Sequence, residues 1–178
     1  MGGSGKTTLA KELYNINFSS FERCSFVFDV RDAASRNALC EKQKKLLADL
    51  GVHHLQFDNV DEGKVILANR LSGHGALIVL DDVDHIDQLN SLLPNKHNLG
   101  SNSMVIVTTR ELGVLKSWGL SCIYNMPALA KPHAKQLFCW HAFLQPFPPV
   151  EFETLVEEFL KACNGLPLSL KEKRKAGQ

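Results

Sequence analysis

Residues 76–84 have the sequence ALIVLDDVD, in which five apolar residues are followed by two carboxylates. An unbroken apolar run of this kind is typical of a strand that is covered on both faces, as in a parallel sheet. The pattern predicts a buried strand ending at Asp81 and Asp82, where adjacent carboxylates disfavour joint ionisation unless a cation lies nearby. We expect Asp81 to hold Mg²⁺ through water and Asp82 to orient or deprotonate an attacking water. The alternative is a polar strand end with solvated acids.

Strands and helices alternate on both sides of this run. FERCSFVFDV (21–30) and MVIVTTR (104–110) are further strand candidates, because β-branched and aromatic residues are frequent in them. Helical patterns lie around these strands, over 6–17, 35–51, 60–75 and 85–93, and a final short strand is predicted over 121–127. The alternation over 1–127 predicts an α/β domain with a parallel sheet flanked by helices. Such a sheet binds ligands at the carboxyl ends of its strands.

The pattern changes at about Ala128, beyond which no strand pattern is present in the sequence. LAKPHAKQLFCWHAF (129–143) and EFETLVEEFLKACNG (151–165) have the amphipathic spacing of helices, and a proline-rich breaker separates them. Residues 128–178 are therefore predicted to form a small helical subdomain. We expect Trp118 and Trp140 to make contacts in the core or in this subdomain.

A glycine-rich run, GGSGKTT (2–8), precedes the first helical pattern. Its three glycines allow a loop whose backbone N–H groups turn inward around phosphate oxygens, where a side chain would block close approach. The N-terminus of the next helix also favours anions. Lys6 would supply a mobile charge to the β- and γ-phosphates, and the Thr7 hydroxyl can reach Mg²⁺. A Gly/Ser linker is the alternative, but a linker is not followed at once by a helical pattern.

Polar residues also end the strand candidate at 104–110. Thr108, Thr109 and Arg110 would emerge at the same edge of the sheet as Asp81 and Asp82. An arginine at this edge can contact a γ-phosphate through two parallel hydrogen bonds. A cap on a surface loop is the alternative role for Arg110.

Composition excludes several classes of function. Lys and Arg total 20 and Asp and Glu total 19, a balance that argues against a dedicated nucleic-acid binder, since such proteins carry a basic excess. The five cysteines are odd in number and include no C-x-x-C pair, so we expect neither a zinc site nor a disulfide framework. A reducing compartment is the expected setting. No apolar run approaches about 18 residues, so no membrane span is expected.

Five motifs occur in the order and spacing of one family, namely GGSGKTT, LIVLDDVD, MVIVTTR, YNMPALAKPHAKQLFCWHAF and CNGLPLSL. From residue 1 to about 170 the chain resembles the NB-ARC domain. This is the P-loop NTPase module of plant NBS-LRR disease-resistance proteins and of apoptotic protease-activating factors. Asp84 closes the second motif and resembles the residue of the TIR-type subclass at this position. The coiled-coil subclass usually has tryptophan there. The resemblance also implies that the first strand of the 1–127 domain is missing and that 128–178 is only part of its helical subdomain.

The resemblance implies roles for individual residues. The phosphates of ADP or ATP would be bound by Gly2, Gly3, Ser4, Gly5, Lys6, Thr7 and Thr8. Thr7 and Asp81 would serve Mg²⁺, Asp82 would be the catalytic acidic residue, and Arg110 would sense the γ-phosphate and contribute to catalysis. Pro167 would lie against the nucleotide, where its rigid ring suits a base, although a simple helix breaker is the alternative.

The implied function is an ADP/ATP-binding switch of a plant immune receptor. It would be at most a slow Mg²⁺-dependent ATPase, whose hydrolysis resets the switch. The expected partners are the leucine-rich repeats and the N-terminal signalling domain of the parent receptor. Direct binding to nucleic acid or to a membrane is not expected. The expected location is the cytoplasm, or the cytoplasm and nucleus. Two alternatives stay open: a P-loop ATPase or kinase with true turnover, and a non-functional truncated fragment.

Overall fold

The computed structural model describes residues 3–54, 56–73, 75–94, 99–120, 122–163 and 165–167. In chain order the elements are α1 (Lys6–Asn17), β1 (Cys24–Val27), α2 (Arg36–Asp49), α3 (Val60–Leu71), β2 (Leu77–Val83), α4 (Ile86–Leu92), β3 (Met104–Thr109), α5 (Leu112–Ser117), α6 (Lys131–Phe143) and α7 (Glu153–Cys163). The chain divides into two compact units. One spans Thr7–Ile123, and the other combines Met1–Lys6 with Tyr124–Gln178.

The three strands form one parallel sheet in the order β1-β2-β3. Phe26 of β1 is in register with Val79 of β2, and Val79 is in register with Ile106 of β3. β2 has a neighbour on each side, and six of its seven residues are buried, as its unbroken apolar run predicts. The parallel sheet with flanking helices confirms the predicted α/β class.

Side chains of the sheet alternate between two apolar clusters, because successive residues of a strand point to opposite faces. On one face Phe26, Val79 and Ile106 pack with Ala10 and Tyr14 of α1. On the other face Ile78 and Leu80 pack against residues of α2, α3 and α4, including Leu46, Leu67 and Leu89. Each fully buried Leu or Ile contributes about 1.5–3 kcal/mol, so β2 anchors both layers.

Helix ends follow local sequence signals. The Ser35 hydroxyl accepts a hydrogen bond from the Ala38 N–H at 3.2 Å, which caps the N-terminus of α2. Just beyond the end of α2, Gly51 has a φ of +81°, a conformation that favours glycine. His85 caps α4 in a capping box with Gln88. Because these caps are local, the predicted helix positions are confirmed to within a few residues.

Two predictions about strands are wrong. Residues 122–127 form no strand, because a strand needs a neighbouring edge for its backbone groups and none of the described strands pairs with this segment. β1 ends at Val27, since Asp29 takes a φ of +48° and starts a 3₁₀ turn over Val30–Asp32. Trp118 is buried in the main core as expected, whereas Trp140 is 53% exposed, so for Trp140 only the predicted contacts within the helical subdomain stay a prediction.

The second unit has its own small apolar core. Residues of α6 and α7, among them Cys139, Val156 and Leu160, are buried together. Gly165 follows α7 with a φ of +69°, and a Cβ added there would lie 2.7 Å from the Leu129 carbonyl oxygen. The Leu129 N–H in turn donates to the Gly165 carbonyl at 2.9 Å. This position therefore requires glycine, and it orients the segment that carries Pro167.

All five cysteines are free, and burial raises the pKa of the Cys40 and Cys139 thiols, so these two are not activated as nucleophiles. None of the helices within the described residues is long and apolar enough to cross a membrane.

Candidate functional site

The glycine turn at the start of the chain leads directly into α1. Gly3 and Gly5 have φ values of +73° and +91°, which an L-residue adopts only with strain. Ser4 between them is buried, and its hydroxyl oxygen accepts a hydrogen bond from Lys6 Nζ at 3.2 Å. The positive φ values agree with the prediction that glycines are needed here. Gly2 lies outside the described residues.

Asp81 lies in a set of side chains that we call the hydroxyl cluster, made of Thr7, Asp81 and Thr108. The Thr7 hydroxyl donates to the Asp81 carboxylate, with its Oγ1 2.9 Å from Oδ1 and 3.1 Å from Oδ2. The Thr108 hydroxyl donates to Oδ1 at 2.6 Å. Asp81 is only 2% exposed, so neutral hydroxyl donors supply its stabilisation in place of water.

The backbone turns sharply between Asp81 and Asp82. The pairing of β2 with β3 shifts register between Leu80 and Val83, and Asp82 has a left-handed φ of +55°. The Asp82 N–H donates to Thr108 Oγ1 at 2.9 Å, so one threonine hydroxyl bonds both residues of the turn. A non-glycine residue held in this conformation costs on the order of 1–3 kcal/mol, and such strain is concentrated at functional sites.

Asp82 lies in a second set of side chains, the arginine cluster, made of Arg31, Asp82, Asp84 and Arg110. The Arg110 guanidinium donates to both carboxylate oxygens of Asp82, with each distance 3.2 Å. Arg31 Nε lies 3.4 Å from Asp82 Oδ2. The Asp82 side chain is 20% exposed. Two guanidinium groups therefore offset the repulsion that adjacent carboxylates at a strand end would otherwise suffer.

The structure brings most of the predicted sheet-edge residues together. Thr7, Asp81, Asp82 and Arg110 belong to one continuous network of hydrogen bonds through Thr108. Thr8 is exposed. Pro167 belongs to the other unit.

Sequence reasoning missed two residues of the hydroxyl and arginine clusters. The role of Thr108 as a donor and acceptor between the two aspartates was not predicted, although its place at the end of β3 was. Arg31 was not singled out at all. The available signal was that Arg31 directly follows the strand candidate at 21–30. Polar residues likewise end the candidates at 76–84 and 104–110.

The donor set fits a small divalent cation. Thr7 and Asp81 offer hard oxygen ligands, which Mg²⁺ prefers, and Mg²⁺ takes only one or two carboxylates from a protein when phosphates complete its shell. Within the described ranges there is no group of three or more His, Cys, Asp and Glu residues placed to hold a metal. The residues present therefore suit a metal shared with a phosphate ligand better than a metal bound by protein alone.

A cavity of about 740 Å³ lies beside the arginine cluster in the α/β unit. Its wall includes Arg31 and Asp84 of the arginine cluster, but neither Thr7 nor Asp81. The cavity thus borders the arginine cluster without containing the hydroxyl cluster. We place the candidate site at the hydroxyl and arginine clusters, because the carboxylates, hydroxyls and guanidinium groups that could act on a ligand converge there.

A parallel α/β sheet with a Thr–Asp pair at its carboxyl edge, preceded by a glycine turn that opens a helix, is the arrangement of P-loop NTPases. Comparison with known families narrows this class. The model of the NB-ARC domain family matches residues 1–147, which is most of the chain, and the chain belongs to this family of nucleotide-binding domains.

Curated relatives agree with this assignment. The chain is 36% identical over 173 residues to disease resistance protein RUN1 of Vitis rotundifolia, covering 96% of the chain and 13% of the relative. It is 33% identical over 178 residues to TMV resistance protein N of Nicotiana glutinosa, covering 96% of the chain and 15% of the relative. The chain thus spans about one seventh of the length of these relatives.

Proposed function

We propose that the chain is an ADP/ATP-binding switch module of a TIR-type plant disease-resistance receptor, reset by slow ATP hydrolysis. Membership of the NB-ARC family and the names of its relatives support this function. The observation that carries it is the Thr7–Asp81 hydrogen bond. It joins the helix that follows the glycine turn to the carboxyl end of β2, and these are the two elements that a phosphate and its metal must bridge.

The nucleotide would be held through its phosphates and through one apolar contact. Its phosphates would bind to the glycine turn and the first turn of α1, namely Gly2, Gly3, Ser4, Gly5, Lys6, Thr7 and Thr8. Backbone N–H groups at a helix N-terminus favour anions, and Lys6 adds a full positive charge. Pro167 would contact the nucleotide from the helical unit with its apolar ring.

Thr7 and Asp81 are the residues that would hold Mg²⁺. When bound, the ion would neutralise charge that develops on the phosphate oxygens. The Thr7 hydroxyl can serve as a ligand once it no longer donates to Asp81, and the buried Asp81 carboxylate is already held by Thr108. Only one hydrogen bond of the hydroxyl cluster therefore has to be exchanged.

Asp82 and Arg110 would carry the reaction and its sensing. Asp82 would accept a proton from, or orient, the attacking water. In the structure Arg110 pairs with Asp82 at a partly exposed position, and such ion pairs contribute only about 0–1 kcal/mol. A phosphate accepts the same paired hydrogen bonds from a guanidinium as a carboxylate does and carries more negative charge. A γ-phosphate can therefore draw Arg110 away from Asp82, and this exchange would distinguish ATP from ADP.

The other domains of the parent receptor would respond to the conformational change of the switch. Because the chain covers 13–15% of the two relatives described above, the leucine-rich repeats and the N-terminal signalling domain of a receptor are proposed as its partners. The cytoplasm, with or without the nucleus, is its proposed location. Changes at Arg110 would alter contacts with these domains.

Calorimetric binding of ADP to the full chain with Mg²⁺ tests the proposal. We expect Lys6→Ala to lower ADP affinity about 10- to 100-fold, because a charge-assisted contact to phosphate is lost. Lys11→Ala is the matched control, since Lys11 lies on the same helix and its Nζ sits 5.1 Å from the Phe28 ring centroid instead. Undiminished ADP binding by Lys6→Ala would falsify the phosphate-loop assignment.

Steady-state hydrolysis by the same protein separates a switch from a turnover enzyme. Kinases turn over at about 1–100 s⁻¹, and we expect ATP hydrolysis by this chain to be much slower than about 1 s⁻¹. Turnover within the kinase range would favour the enzyme instead.

A further inference from the structure

We propose that Arg31 is a positioning residue that holds Asp82 during ATP hydrolysis, and that Asp84 competes with Asp82 for it. This inference rests on the proposed function, because it assigns Asp82 a role in hydrolysis. It concerns a residue outside the glycine turn, the metal ligands and the γ-phosphate sensor. Its basis is the geometry of the arginine cluster.

Arg31 lies between two carboxylates and belongs fully to neither. Its Nε is 3.4 Å from Asp82 Oδ2 and 3.5 Å from Asp84 Oδ2. The Nε atom is buried and has no hydrogen-bond partner among the described residues. A small movement toward one carboxylate would complete a charge-assisted hydrogen bond there and lengthen the distance to the other. The two acids therefore compete for one donor.

Gln88 fixes both the segment of Arg31 and that of Asp84. Its buried side-chain amide donates to the Val30 carbonyl at 3.2 Å and to Asp84 Oδ1 at 2.9 Å. Its side-chain carbonyl accepts from the backbone N–H groups of Asp84 and His85, at 3.0 and 3.2 Å. Because one buried side chain ties these segments together, the position of Arg31 relative to the carboxylates is built into the fold.

Arg31 becomes necessary when Arg110 leaves. Arg110 cannot direct the same guanidinium edge at Asp82 and at a γ-phosphate. Once Arg110 turns to the phosphate, Arg31 is the remaining cation of the arginine cluster that contacts Asp82. It then holds the carboxylate in one orientation and compensates its charge, while Asp84 weakens this hold by attracting the same Nε.

This competition predicts opposite effects for two substitutions. Arg31→Gln removes the charge, and we expect single-turnover ATP hydrolysis to slow about 10-fold, the usual loss for a supporting residue of a reactive group. Asp84→Asn keeps a carbonyl oxygen for Gln88 but no longer competes for Arg31. We expect it to accelerate hydrolysis about twofold, in keeping with the strength of a partly exposed ion pair.

The experiment measures hydrolysis and ADP affinity in parallel in the full chain. The dissociation constant for ADP should stay within about twofold of wild type for both variants, since neither residue contacts ADP in the proposed site. Arg31→Lys should recover part of the rate because it restores the charge. It also replaces Arg31→Gln as the test if that variant does not fold. Arg36→Gln is the matched control, because Arg36 lines the same cavity and forms no described ion pair with Asp82.

The outcomes separate this inference from the proposed function. If wild type binds no ADP, the proposed function is wrong and the role of Arg31 is wrong with it. If wild type binds ADP but Asp84→Asn slows hydrolysis as much as Arg31→Gln does, both residues are only structural and the positioning role is overturned. A loss of ADP affinity that parallels the loss of rate in Arg31→Gln would overturn it as well.

Discussion

The hydroxyl cluster and the arginine cluster are adjacent in sequence and opposite in chemistry. Asp81 is 2% exposed and receives hydrogen bonds from neutral hydroxyls, whereas the Asp82 side chain is 20% exposed and contacts two guanidinium groups. Hydroxyl partners of a buried carboxylate are hard to replace, because water cannot reach the group. Ion pairs near solvent are weak and exchangeable. The first cluster therefore suits a fixed arrangement of oxygen groups, and the second suits a change of partners.

The largest expected effect is on catalysis by the arginine cluster. Asp82→Asn removes the proton acceptor, so we expect ATP hydrolysis to slow about 100-fold or more. Asparagine tolerates left-handed backbone nearly as well as aspartate, so the turn is kept. Single-turnover hydrolysis measures the rate, and an ADP dissociation constant within about twofold of wild type is the control. A wild-type rate of hydrolysis in this variant would show that Asp82 of the arginine cluster is not catalytic.

The next largest effect is on metal binding by the hydroxyl cluster. Asp81→Asn keeps the shape of the side chain and removes its charge, so we expect the affinity for ADP with Mg²⁺ to fall about 10- to 100-fold. Affinity in the presence of a chelator should change little. Calorimetry with and without Mg²⁺ gives both values. Equal losses under the two conditions would show that Asp81 does not act through the metal.

Thr108 tests the shared hydrogen bonds of the turn. Thr108→Val leaves a buried carboxylate short of one donor and leaves the Asp82 N–H unpaired. We expect the free energy of unfolding to fall by about 2–3 kcal/mol. Urea denaturation measures the change.

Thr109→Val is the matched control for Thr108→Val, because the Thr109 hydroxyl bonds only the nearby backbone of Glu111. Its expected cost is about 0.5 kcal/mol. Equal losses for the two variants would mean that the hydroxyl cluster has no special stability.

The smallest effect is on stability at Arg110. Its ion pair with Asp82 is 44% exposed on the arginine side, so we expect Arg110→Gln to change the free energy of unfolding by less than about 1 kcal/mol. The difference should shrink further as salt is raised, because partly exposed pairs are screened. Urea denaturation at low and high salt checks both statements. A loss as large as that of Thr108→Val would contradict the division between a permanent and an exchangeable cluster.

Much of the α/β unit could be predicted from local patterns. The unbroken apolar run before Asp81 predicted a buried strand, and six of the seven residues of β2 are buried. Helices were predicted from periodic apolar residues and from caps such as Ser35. The strand predicted over 121–127 failed because a strand also depends on a partner edge, which a local pattern does not contain.

The candidate site was predictable in outline but not in its contacts. Asp81, Asp82 and Arg110 were expected at one edge because parallel strands end on the same side. The pairing of Arg110 with Asp82 was not expected, and Arg31 was overlooked because its partners are more than 50 residues away in sequence. Such pairs depend on the register of β1, β2 and β3, which no single motif specifies.

The sequence by itself determined the order of helices and strands, the glycine turn and the presence of oxygen ligands at strand ends. These features depend on residues close together along the chain. Tertiary structure alone decided that Thr7 bonds Asp81 across 74 residues and that Arg110 bonds Asp82 across 28. It also decided that Asp82 takes a left-handed φ of +55°. The physical reason is that local preferences disfavour this backbone, and the long-range hydrogen bond from Asp82 to Thr108 offsets its cost.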